Sequence, residues 1–231
     1  RQLIRDLRLP FAVPDACELP QRLDGVLAAL YLLFNEGYKA SSGDRLIREE
    51  LCHEAIRLTR LLAEHPMTSQ PFTKALLALM CLNAARLCAR VNPAGEIVRL
   101  HHQDRGQWDA RLIEEGIRAL GAASTGEIIS PYHLEAGIAA CHCLAADEAL
   151  TDWPRILSLY DQLLLLKPTP IVAMNRSVAL SRVRGPREAL TALESIPNRH
   201  SLEAQHLYHA IRASFIAKLG NPAEARAAYQ R

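Results

Sequence analysis

Apolar residues recur at helical spacing along most of the chain. A first stripe runs from Leu23 to Phe34 and is ended by Gly37, and a second runs from Ile47 to Leu62 behind Asp44. Residues 71–91 are apolar on nearly every side, so that helix should be central. The pattern predicts an all-α protein with about ten helices in antiparallel hairpins.

Glycine and proline interrupt the C-terminal half at regular intervals. Four predicted helix starts place a capping residue directly before proline: Ser130-Pro131, Thr169-Pro170, Gly185-Pro186 and Asn221-Pro222. The turn glycines Gly185 and Gly220 lie 35 residues apart, close to the roughly 34-residue period of tetratricopeptide repeats. We therefore predict tetratricopeptide-like repeats with right-handed stacking in this half.

The helical pattern breaks between residues 92 and 105. Asn92-Pro93-Ala94-Gly95 predicts a turn, and residues 96–100 predict at most a short extended segment. Helical spacing resumes behind Asp104, with Gln107 three positions later as in a capping box. The predicted divisions are a linker (1–19), an N-terminal helical subdomain (20–91), a connecting segment (92–105) and helical repeats (106–231).

Composition and charge exclude several classes of protein. A net charge of +2 is too small for a nucleic-acid surface. Six dispersed cysteines indicate reduced thiols in the cytoplasm, and neither a signal peptide nor a membrane-spanning stretch is expected. The chain begins at Arg1 rather than Met and stops inside a repeat, so we expect it to be part of a longer polypeptide.

Motifs for catalysis and metal binding are incomplete. His133-Leu134-Glu135 begins a deaminase signature, but Cys141-His142-Cys143 supplies only Cys-x-Cys. Two thiols at that spacing point away from each other around a helix. The sequence contains neither a glycine-rich phosphate loop nor a nucleophile elbow. We therefore expect no enzyme activity, no metal and no cofactor.

Polar residues cluster where helix capping alone does not require them. Glu36 lies at the unfavourable negative end of its helix, and Arg176 lies inside an apolar helix, where it needs a carboxylate or carbonyl partners. The alternatives are a hydrogen-bonded core residue for His142 and a capped helix anchored by Trp108. We predict a shared polar network or an interaction groove formed by Asn35, Glu36, Tyr38, Gln103, Asp104, Arg105, Trp108, Asp109, Tyr132, His142, Asp152, Trp153, Asn175 and Arg176.

Five motifs follow one another along the chain. They are Tyr31-Leu32-Leu33-Phe34-Asn35-Glu36-Gly37-Tyr38, Gln103-Asp104-Arg105-x-x-Trp108-Asp109, Pro131-Tyr132-x-Leu134, Thr151-Asp152-Trp153 and Asn175-Arg176. In this order they resemble one bacterial family, the extracytoplasmic-function RNA polymerase sigma factors that carry a long C-terminal tetratricopeptide-like extension. The resemblance runs from about Pro10 to Arg231, with Ser130 and Glu135 where Gly and Gln are expected.

The resemblance implies that the chain is the extension without its two sigma domains. Residues 1–8 would be the end of the second of these domains, which bind core polymerase and promoter DNA. The extension would regulate the sigma factor in the cytoplasm by contacting those domains or the polymerase core, and would meet DNA only through them. Two alternatives stay open: a free-standing tetratricopeptide-like module that binds peptides, and a small-molecule sensor.

Overall fold

A computed structural model describes residues 15–41 and 45–229 of the chain. The all-α prediction is confirmed. The α-helices within these ranges are α1 (Leu19–Tyr38), α2 (Glu49–Glu64), α3 (Pro71–Ala84), α4 (Ala110–Ala123), α5 (Pro131–Leu144), α6 (Trp153–Leu166), α7 (Pro170–Val183), α8 (Pro186–Glu194), α9 (His200–Glu203), α10 (His206–Lys218) and α11 (Pro222–Tyr229). The first part of the predicted linker and the predicted helix start at Asp44 lie outside the described residues.

Helix α3 is the centre of the first core, as its apolar surface predicts. It contacts α1, α2, α4 and α5, and Leu76 and Met80 on it are completely buried. The segment Pro71–Ala89 is long and apolar enough to cross a membrane by length and hydropathy, a feature that the sequence analysis missed, but 72% of it is buried by the other helices. Such burial is typical of a core helix in a soluble protein.

A second core follows from α5 to α10. Successive helices pack against each other from α5 to α8, and α10 packs between α8 and α11. Helix α5 belongs to both cores, because Ala136 is buried in the first while Leu134 and Ile138 are buried in the second. The first core therefore continues past the predicted connecting segment at 92–105.

The predicted helix starts in the C-terminal half are confirmed. Helices α5, α7, α8 and α11 begin at proline, and Thr169 accepts a hydrogen bond from the backbone N–H of Val172 at the start of α7. Gly185 has a φ of 93° and Gly220 a φ of 85°, a backbone region that glycine enters without steric cost. Gly185 lies between α7 and α8 and Gly220 between α10 and α11, and the two helices of each pair pack against each other.

Several predicted boundaries are wrong in detail. Asp104 caps only a single 3₁₀ turn, and α4 begins at Ala110 behind Asp109, whose carboxylate accepts two backbone N–H groups. The central helix ends at Ala84 and not near residue 91. By contrast, the prediction of at most a short extended segment at 96–100 is confirmed: in the described part of the chain it forms no strand and contributes only an isolated bridge between Val91 and Ile97.

Candidate functional site: a polar cavity between the two cores

A cavity of about 660 Å³ lies where the two cores meet. Helices α1, α3, α5, α6 and α7 all contribute to its wall. Its apolar surface includes Phe34, Leu79, Ile138 and Leu163. Volumes of this size are usual for pockets that hold small molecules.

One end of the cavity is organised by the carboxylate of Glu135 on α5. Glu135 accepts hydrogen bonds from Tyr31 Oη at 2.6 Å and from Lys167 Nζ at 3.2 Å. Burial and the neighbouring carboxylate raise the pKa of the Tyr31 phenol well above its usual value, and the same two causes raise the pKa of Tyr160 to about 12. Both phenols therefore stay protonated at neutral pH, and the charge of Glu135 is balanced by Lys167.

Arg86 lines the other end of the cavity, and Arg90 and Arg105 contact residues near it. Arg86 Nη2 donates to Tyr38 Oη at 2.5 Å and to Asn83 Oδ1 at 3.1 Å. The guanidinium of Arg90 lies 3.5 Å from the centre of the Tyr38 ring, a cation–π contact. Burial, together with the charge of Arg86, lowers the pKa of Arg90.

Arg105 closes this end by holding the C-terminus of α5. Its Nη1 donates to the carbonyl oxygens of His142 at 2.5 Å and of Ala145 at 2.7 Å. These carbonyls lack a partner inside the helix, and a cation there meets the negative end of the helix dipole. Arg105 also lies 4.8 Å from the ring centre of Trp108, whose side chain is buried.

His142 lines the cavity beside these arginines. Burial, reinforced by the charges of Arg86 and Arg105, lowers the pKa of His142 to about 4. The imidazole is therefore neutral at physiological pH. Its ring packs edge-on against Trp153, with 5.4 Å between ring centres.

Four of the predicted site residues meet in this cavity. Asn35 and Tyr38 come from α1, His142 from α5 and Asn175 from α7. Arg105, Trp108 and Trp153 support the wall through the contacts described above. Tyr132 packs edge-on against Tyr31 at the Glu135 end, with 5.5 Å between ring centres.

The remaining predicted residues have local tasks. The carboxylate of Glu36 accepts the backbone N–H of Ser41, three residues after the end of α1. Asp152 caps α6 through the backbone N–H of Arg155. Gln103 donates its side-chain amide to the carbonyl of Val98 at 3.0 Å.

Arg176 was predicted to be a buried residue, and this is wrong. Its side chain is 29% exposed and forms an ion pair of 2.5 Å with Asp161, which is 51% exposed. The pair links α6 to α7, so the expected inter-helix role is present. Arg176 does not line the cavity, whose wall includes the neighbouring Asn175.

Several cavity residues escaped the sequence analysis as site residues. They are Tyr31, Asn83, Arg86, Glu135 and Lys167. Two of them, Tyr31 and Glu135, share a signal in the sequence, a spacing of seven residues from a predicted site residue: Tyr31 and Tyr38 share one face of α1, and Glu135 and His142 share one face of α5. Two turns separate the members of each pair, which places the Glu135 end and the Arg86 end about 10 Å apart.

A second cavity of about 620 Å³ lies near α10 and α11. Its charged residues already form ion pairs with each other. Arg199 pairs with Glu203, and Arg212 pairs with both Glu194 and Glu224. Among residues 15–41 and 45–229, no group of three or more His, Cys, Asp or Glu side chains could hold a metal ion.

The chain is similar to one protein family and to one bacterial relative. Residues 22–124 match a family of unknown function, DUF6596, which covers α1 to α4 and therefore two of the cavity's five helices. An uncharacterized protein of Rhizobium meliloti (strain 1021) is 39% identical over 223 residues, covering 96% of this chain and 52% of the relative. The chain thus spans about half the length of that relative. No solved structure matches.

Proposed function

We propose that this chain is the C-terminal regulatory domain of an RNA polymerase sigma factor. It would act in transcription initiation by contacting the sigma domains of the same polypeptide or the polymerase core. The observation that carries the proposal is the meeting of distant motifs. Asn35 and Tyr38 of the first motif and Asn175 of the last line one cavity, and Arg105 of the second motif holds α5 beside it.

This convergence supports a common role for the motifs by which the chain resembles such sigma factors. A shared task at the boundary between the two cores would account for their meeting there. The length of the relative is a second support, because 48% of it lies outside the aligned 52%. That remainder leaves room for further domains.

In this proposal the chain has a regulatory and not a catalytic task, and it works in the cytoplasm. Promoter DNA would be bound only by sigma domains outside the chain. Its net charge of +2 supports this division, because DNA-binding surfaces depend on clustered lysine and arginine that neutralise phosphates.

The first test of the proposal is to determine the gene sequence upstream of the codon for Arg1. The coding sequence upstream of Arg1 should encode the two sigma domains, ending in a helix-turn-helix. Transcription with core polymerase would then be compared for the full-length polypeptide, for a form that ends before residue 15, and for that form with residues 1–231 added separately. We expect removal to change transcript yield and addition to restore it in part. A gene without sigma domains, or a yield that does not respond to removal, would exclude the proposed function.

A further inference from the structure

Arg86 is a cation in the cavity wall without a carboxylate partner. In the described part of the chain, no Asp or Glu oxygen lies within 4.0 Å of its guanidinium, and its side-chain hydrogen bonds use only Nη2. A guanidinium has five N–H donors and cannot be deprotonated under physiological conditions. The other three donors of Arg86 are therefore available to a group inside the cavity.

The two ends of the cavity differ in electrostatic balance. At one end Glu135 is neutralised by Lys167 and bonded to Tyr31. At the other end Arg86 is bonded only to the neutral groups of Tyr38 and Asn83. A ligand with one negative group would therefore be held in one orientation, with that group at the arginine end.

The neighbours of Arg86 limit the ligand to a single negative charge. Arg90 is engaged with the ring of Tyr38, and Arg105 is bonded to the carbonyls at the end of α5. His142 is neutral because its pKa is lowered to about 4. Of these three guanidiniums only that of Arg86 lines the cavity, and its remaining N–H donors can bind the two oxygens of one carboxylate.

We propose that the cavity binds a small organic monocarboxylate, with the carboxylate against Arg86. The body of the ligand would lie along Leu79, Ile138 and Leu163. The side-chain amide of Asn175, which forms no hydrogen bond within the described residues, would meet a polar group of the ligand. This site does not depend on the chain being part of a sigma factor, and its test uses no transcription readout.

The test uses two pairs of probes of matched shape on the whole 231-residue chain. Octanoate is compared with octanamide, and hydrocinnamate with hydrocinnamamide, by ligand-observed NMR and calorimetry. We expect each acid to bind at least about tenfold more tightly than its amide, because a hydrogen bond to a charged group contributes about that much. Arg86→Gln should remove the difference, whereas Arg86→Lys should keep part of it.

Two further variants separate binding from folding. Arg176→Gln removes an arginine of α7 that does not line the cavity and should leave the acid preference unchanged. Asn175→Asp adds a negative charge to the cavity wall without altering Arg86 and should weaken the acids more than the amides. The proposal would be overturned if acids and amides bound with equal affinity or if neither bound. It would also be overturned if folded Arg86→Gln protein kept the preference for acids.

Discussion

The two cores of the molecule are organised differently. In the first, α3 contacts α1, α2, α4 and α5, so four helices share one buried centre. In the second, each helix packs mainly on its neighbours in sequence. A shared centre couples distant helices, whereas an array of neighbours transmits a perturbation stepwise. The cavity lies where the two arrangements meet.

Removing the same side-chain atoms from each core gives the largest expected effect. Leu76 in α3 and Leu193 in α8 are both completely buried, and each Leu→Ala change should cost about 2–5 kcal/mol of unfolding free energy. Hydrogen exchange should accelerate throughout α1–α5 for Leu76→Ala. For Leu193→Ala it should accelerate mainly in α7, α8 and α10.

One result would contradict the proposed difference in cooperativity between the two cores. If Leu193→Ala accelerated exchange in α2 as much as in α8, the second core would be as cooperative as the first. The distinction between a shared centre and an array would then be wrong.

His142, which is buried at the boundary between the two cores, should make the free energy of unfolding depend on pH. The pKa of His142 falls from 6.5 to about 4 on folding, so between these values the unfolded state binds a proton that the folded state does not. The free energy of unfolding therefore contains the full contribution of neutral His142 above pH 6.5, and this contribution decreases as the pH falls towards 4. At about 1.4 kcal/mol per pKa unit, the loss attributable to His142 is about 3 kcal/mol.

Denaturant unfolding across this range would measure the effect. His142→Gln should flatten the dependence of unfolding free energy on pH between 4 and 6.5. The exposed His206 offers a matched His→Gln control, which should keep the wild-type slope. If His142→Gln also kept that slope, the imidazole would not be held neutral by burial and the adjacent arginines.

The next prediction concerns the stability of α5, the helix that contributes buried residues to both cores. Arg105→Gln removes two charge-assisted hydrogen bonds from the C-terminus of α5 and should cost about 1.5–3 kcal/mol. Arg105→Lys keeps the positive charge at the helix end, so it should cost less. Urea denaturation would measure both, and a loss below about 0.5 kcal/mol for Arg105→Gln would contradict the capping role.

Alanine substitutions at two glycines of α1 distinguish the effect of close packing from the effect of helix propensity. An added Cβ at Gly37 would lie 2.8 Å from the backbone oxygen of Arg48 and the backbone nitrogen of Cys52, whereas one at Gly25 would meet nothing within 4 Å. Gly37→Ala should therefore destabilise by about 1–3 kcal/mol. Gly25→Ala should stabilise by up to about 1 kcal/mol, because alanine favours the helix. Thermal unfolding would show the opposite signs, and two stabilising changes would disprove the close contact.

Gly37 also shows where sequence reasoning reaches its limit. The sequence analysis placed it at the end of a helix, since glycine commonly stops helices, but the helix continues to Tyr38. The helix stripes themselves could be predicted because burial on one face imposes a periodicity on each segment separately. A close approach between α1 and α2 depends on the relative position of two helices, which no single segment records.

The cavity was predictable only in part for the same reason. Asn35 and Asn175 are conspicuous as polar residues beside apolar stripes, and they do line it. Arg86 and Lys167 follow the ends of helices, where basic residues are common and need no special explanation. Their roles in the cavity depend on the residues that they contact, Tyr38 of α1 for Arg86 and Glu135 of α5 for Lys167. These partners belong to different helices, so no single segment of the sequence reveals the contacts.

The smallest expected effect belongs to an arginine that the sequence ranked with Arg105. Arg176 pairs with Asp161 across α6 and α7, but both side chains are partly exposed. Water screens such a pair, so Arg176→Ala should cost at most about 1 kcal/mol, against about 1.5–3 kcal/mol for Arg105→Gln. A double-mutant cycle with Asp161→Ala would isolate the pair from the loss of the arginine side chain itself. A cost of about 3–5 kcal/mol for Arg176→Ala, the range for a broken buried pair, would show that this face of the second core is shielded from water. In that case α6 and α7 would be held together as firmly as the helices around α3, and the contrast between the two cores would be smaller than their contacts indicate.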